Sequence, residues 1–175
     1  MIGAKVKMVN ILAVISDTLY ASKICEIVKD SEEISLKTLY VSLNKTYHSL
    51  VEEFSDAKID LNKFVFIDTI TATIIEPKPV DNCVFLPKAN DVKRLYSEII
   101  RLVKHGGIDM LIFDSISSFT VYNNTEEILH FLTTLIGALS VLGCSSLFTC
   151  LSEDENSHII KQIRMRIDKS YDLTE

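Results

Sequence analysis

Short apolar runs alternate with amphipathic stretches along nearly the whole chain, and this alternation constrains the fold more than any other feature. The runs are Val9–Ile15, Thr38–Leu43, Phe64–Asp68, Cys83–Leu86, Met110–Asp114 and Ser146–Cys150. Most are continuously apolar, as parallel strands covered on both faces must be. Between them, apolar residues recur at helical spacing: Ala21, Ile24, Cys25 and Val28, then Tyr47, Leu50, Val51 and Phe54. A third stripe, Val92, Leu95, Tyr96, Ile99 and Val103, closes at His105–Gly107. Asn124, with Glu127 three positions on, makes a capping box ahead of Ile128, Phe131, Leu132, Leu135, Leu139 and Leu142. A weaker helical pattern covers Ser157–Ile167, and Lys169–Leu173 reads as an edge strand. The pattern predicts an α/β fold, a single three-layer domain over residues 1–175 with a mainly parallel sheet. Thr71–Asn82, which holds Pro77 and Pro79, is the most loop-like stretch.

Composition narrows the function classes. A chain of 175 residues that is 47% hydrophobic can bury one substantial core. Its net charge of −6 supplies no positive field for nucleic acid or anionic lipid. The basic strip Lys161–Lys169 is offset by Glu153, Asp154, Glu155, Asp168 and Asp172, so a solvated face or interface strip is expected, with no specific nucleic-acid binding. Cys25, Cys83, Cys144 and Cys150 form no C-x-x-C pair and read as reduced packing residues. No leader pattern opens the sequence, and a cytoplasmic location is expected. The uncharged stretch between Glu127 and Glu153 is long enough to span a bilayer. Thr133, Thr134, Ser140, Ser145 and Ser146 add polarity, and Gly143 interrupts the run, which predicts a buried helix followed by a buried strand and no membrane association.

Ligands of open α/β sheets bind beyond the carboxyl ends of the strands. Here those ends carry Ser16 and Asp17, Asn44 and Lys45, Asp68 and Thr69, Asp114 and Ser115, and Ser152 and Glu153, with Lys23 nearby. Taken singly, each is an ordinary helix cap or loop opener. In order and spacing, however, Thr38–Phe54, Phe64–Ile70 and Ile108–Phe119 resemble the RecA-superfamily ATPases, closest to the archaeal KaiC-like and RadA-like branch. The resemblance extends to Ile167–Leu173, which looks like that branch's final strand.

That family follows its first strand with G-x-x-x-x-G-K-[ST], whose backbone N–H groups, lysine and hydroxyl hold phosphates and Mg²⁺. The matching segment here is Asp17–Ile24, in which only Lys23 fits; Asp17 and Ser22 replace the glycines and Ile24 the hydroxyl. No glycine occurs between Gly3 and Gly106, so the backbone angles of a phosphate nest are costly anywhere in the first half. Asp17 is expected to cap the following helix, with Lys23 solvated on it. Where the resemblance implies a catalytic glutamate, Asn44 and Lys45 stand; Glu52 and Glu53 lie within the next helix and are expected to face solvent. The family's Walker B aspartate has a match in Asp114.

The expectation is therefore a non-catalytic RecA/KaiC-like domain with no cofactor, acting through a protein partner or by self-association. The alternative is a nucleotide-binding switch or weak ATPase, with Lys23, Lys45, Asp68, Asp114 and Ser115 around ATP and Mg²⁺, the metal on Asp114. A receiver-like phospho-acceptor built on Asp68 needs an acidic pair after the first strand and a lysine after Cys150, and neither is present.

Overall fold

The computed structural model of the chain describes residues 8–175. Of the opening segment read for a leader, the first seven positions lie outside that range. The strands are β1 (Asn10–Ile15), β2 (Thr38–Ser42), β3 (Phe64–Asp68), β4 (Cys83–Phe85), β5 (Met110–Asp114), β6 (Ser145–Leu151) and β7 (Lys169–Leu173). They form one sheet in the order β4-β3-β2-β5-β6-β1-β7, and every strand pairing in it is parallel. The expected α/β class and parallel sheet are therefore present. The helices are α1 (Tyr20–Ile34), α2 (Tyr47–Asp56), α3 (Thr71–Ile74), α4 (Val92–His105), α5 (Ile116–Tyr122), α6 (Thr125–Leu142) and α7 (His158–Arg164).

Strand alternation sends the two faces of the sheet into two apolar layers. Leu12, Val14, Leu39, Val41, Leu111, Phe113 and Phe148 pack against α4, α5, α6 and α7. On the opposite face Ala13, Ile15, Tyr40, Phe66, Ile112 and Leu147 pack against α1 and α2. The apolar helix α6 is long enough to cross a membrane by length and composition. In this fold its Ile128, Phe131, Leu132, Leu135 and Leu139 are buried within the first layer, as the capping-box reading expected; Leu142, at its last turn, is partly exposed. Gly143 ends α6 at φ 73°, a left-handed conformation that glycine adopts without steric penalty.

Local readings are corrected at four places. Asp17 does not cap α1: it opens a short 3-10 turn (Asp17–Leu19), and its carboxylate accepts the adjacent Thr18 N–H at 2.6 Å. The helix starts only at Tyr20, without a side-chain cap. Its buried side is Ile24, Ile27, Val28 and Ser31, while Ala21 is exposed because Tyr20 is the first-turn residue that turns inward. Within Thr71–Asn82, expected as loop, one turn of helix forms because the Asp68 carboxylate accepts the N–H groups of Ile70 and Thr71. Glu53 does not point freely to solvent, since its carboxylate holds the Lys45 ammonium at 2.5 Å.

Candidate functional site

The register across the sheet aligns Ser42 with Asp114 and with Asp68, and Tyr40 with Ile112. Residues aligned in parallel strands share a face, so Asp114 and Tyr40 both project toward the α1 layer. On the next strand Thr149 pairs with Ala13 and faces the same side. The connection from β1 to β2 runs over β6 and β5, which carries the first turn of α1 above the ends of those strands. Tyr20 thereby reaches into the space over Asp114.

The Tyr20 hydroxyl donates to Asp114 Oδ1 at 2.5 Å and lies 2.7 Å from Thr149 Oγ1. From below, the Tyr40 hydroxyl donates to Asp114 Oδ2 at 2.5 Å. The Asn44 amide and the Thr149 hydroxyl lie 3.4 and 3.5 Å from Oδ1. Asp114 is 1% exposed, so both carboxylate oxygens are engaged inside the protein. Burial raises its carboxyl above the ordinary carboxylate value, opposed by the two tyrosine donors, the Lys45 charge and Asn44. Burial, and then the neighbouring carboxylate, push both tyrosine hydroxyls well above their ordinary value, which keeps them as donors.

The other candidates are spread along the rim. Asp68, on β3, accepts the N–H groups of Tyr47, Ile70 and Thr71 and the Thr71 hydroxyl, at 2.5 to 2.9 Å, and so ties three segments together. Ser115, joined to Asp114 by a cis peptide, caps α5 by accepting the Ser118 N–H at 3.1 Å. Lys23 pairs with Glu26 on its own helix at 3.1 Å. Lys45 is held by Glu53, whose other oxygen lies 3.6 Å from Cys25 Sγ. Of the polar rim, hydrogen bonding thus brings only Asn44 to Asp114.

Sequence reasoning missed Tyr20, Tyr40 and Thr149. Their signal was present: Tyr40 stands between Leu39 and Val41, and Thr149 between Phe148 and Cys150, each a polar group flanked by apolar residues. Tyr20 stands inside the glycine-free turn that follows β1.

The chain-wide comparisons agree with this architecture. The family described as ATPase: KaiC matches residues 26–167. No curated protein sequence matches the chain. Among solved structures, a KaiC-like protein from the hyperthermophilic archaeon Pyrococcus horikoshii superposes with a TM-score of 0.65 at 18% identity, over 94% of this chain and 71% of that one. The family match begins at Glu26, just beyond the segment that aligned with the phosphate loop, and runs to the start of β7. Over most of its length, therefore, this chain belongs to the KaiC ATPase family.

Proposed function

We propose that this chain is a non-catalytic member of the KaiC family and acts through protein partners. The observation that carries the reading is the tyrosine clamp on Asp114. In the family pattern, the Walker B aspartate faces the metal and phosphates held by the preceding loop. Here that loop is replaced by a glycine-free turn, and the Tyr20 hydroxyl is hydrogen-bonded to Asp114 and Thr149. A hydrated Mg²⁺ approaching Asp114 must first displace the partly buried Tyr20 phenol, which makes two short hydrogen bonds. Ile24, in the position of the metal-binding hydroxyl, is 1% exposed and has no oxygen to offer. Lys23 and Lys45 are engaged with glutamates, and Asn44 cannot accept a proton from water at neutral pH. These residues do not fit Mg-ATP, and no phosphoryl-transfer step is assigned to them.

Isothermal titration with Mg-ATP tests the reading. The expected trace shows no binding heat up to millimolar nucleotide. Micromolar binding that is lost on Lys23→Ala or Asp114→Ala overturns it, because such binding requires the site to open around those two residues.

A further inference from the structure

The two edges of the sheet differ. At one end β4 has only three residues, and the chain folds back so that Val80 bridges Cys83 antiparallel, just after Pro77 and Pro79. At the other end β7 has five residues and, among the described residues, pairs with β1 alone. It contains no proline, the commonest guard of such an edge.

The backbone of β7 has a defined outward set. The Asp168 N–H donates to the Asn10 carbonyl at 2.9 Å, so alternate residues 168, 170 and 172 direct their peptide groups to β1. The N–H and C=O groups of Lys169, Tyr171 and Leu173 then face the open side. The side chains of Tyr171 and Leu173 lie on the α1 face, where they border an apolar groove of about 300 Å³ with Ile11, Ile27, Ile34 and Leu147. Tyr171 is 47% exposed there.

We propose that this chain forms a two-fold dimer by antiparallel pairing of β7 with β7 of a second copy, centred on Tyr171. The sequence of the strand selects this occupant and this register. A two-fold axis normal to the sheet keeps like faces together, so paired residue numbers must have an even sum. Centring on Tyr171 overlaps all five residues and sets Lys169 opposite Leu173, Ser170 opposite Asp172, and Tyr171 opposite itself. The three outward residues of each copy then form the hydrogen-bonded pairs, about six backbone bonds in all. Ser170 and Asp172 fall in the closer, non-hydrogen-bonded position. Asp172 Oδ1 already accepts the Thr174 N–H and hydroxyl, leaving Oδ2 for the Ser170 hydroxyl of the second copy. Centring on Asp172 opposes two Asp172 carboxylates, and centring on Ser170 sets Asp168 against Asp172; both place like charges face to face. The two Tyr171 rings close the open ends of the two grooves. This surface goes beyond the reading above and stands whether or not nucleotide binds.

Sedimentation equilibrium over a range of concentrations tests it, with circular dichroism to confirm folding. The expected wild-type mass is twice the chain's 19.7 kDa. Tyr171→Lys and Tyr171→Asp each place like charges on the axis and weaken association by at least about tenfold. Mixed in equal amounts, the two variants set opposite charges face to face and recover the dimer. A wild-type mass of one chain up to about millimolar concentration overturns the proposal. So does unchanged association in Tyr171→Lys, or failure of the two variants to combine.

Discussion

Replacing Tyr40 with phenylalanine isolates the clamp on Asp114. The ring of Tyr40 packs edge-on against Phe54 at 5.4 Å, and phenylalanine preserves that contact. What is lost is one hydroxyl, the sole hydrogen-bond donor to Asp114 Oδ2 among the described residues. A hydrogen bond to a buried charge contributes about 1.5–3 kcal/mol, and here nothing replaces it because Tyr40 is fully buried. The expected loss of stability is about 2–3 kcal/mol, a fall in melting temperature of roughly 5–10 °C for a domain of this size. Tyr20→Phe should cost about half as much, since Asn44 and Thr149 remain close to Oδ1. The loss in Tyr40→Phe also has a defined pH dependence. Burial already raises the Asp114 carboxyl above 3.8, and removing a donor that favours the charged form raises it further. A carboxyl raised by folding binds its proton more readily folded than unfolded. Its contribution to stability is complete below 3.8 and is lost as pH rises through the folded-state value. The deficit of Tyr40→Phe relative to wild type is therefore widest above the folded-state value and narrows as the pH falls toward 3.8. Urea unfolding of both proteins across that range measures it. A deficit that is the same at every pH, or below about 0.5 kcal/mol, refutes the ionised clamp.

Three further outcomes are expected. Asp68→Asn should lower stability by about 2–4 kcal/mol in thermal melts, because an amide NH₂ is forced against donors that now point at a carboxylate. Gly143→Ala should cost about 1 kcal/mol in urea titration: nothing crowds a Cβ there, so the loss comes from φ 73° alone. Burial pushes the Cys144 and Cys150 thiols up to about 12 and raises that of Cys83 further, so Ellman's reagent at mild alkaline pH should modify Cys25 first. Rapid labelling of more than one thiol in the folded protein contradicts this packing.

The strands were legible because their cause is local. Phe64–Asp68 and Met110–Asp114 coincide with the elements read from sequence, since a continuous apolar run has few ways to be buried except as a covered strand. The helix start before α1 was not legible, because Asp17 had a local competitor in the Thr18 N–H and a 3-10 turn intervened. The role of Glu53 was misread for a related reason. Its partner Lys45 lies before the helix begins, and only the turn at Thr46 brings the two together.

The sequence by itself determined the class of fold and the absence of glycine from the turn after β1, because apolar periodicity and backbone freedom are properties of neighbouring residues. It also carried Asp114 at the end of its strand. Only the tertiary structure decided what Asp114 meets. Tyr20, Tyr40 and Thr149 come from three separate segments, and the strand order brings those segments together around one carboxylate. Such a contact depends on which strands are neighbours and which face each residue takes, and no local pattern along the chain encodes either.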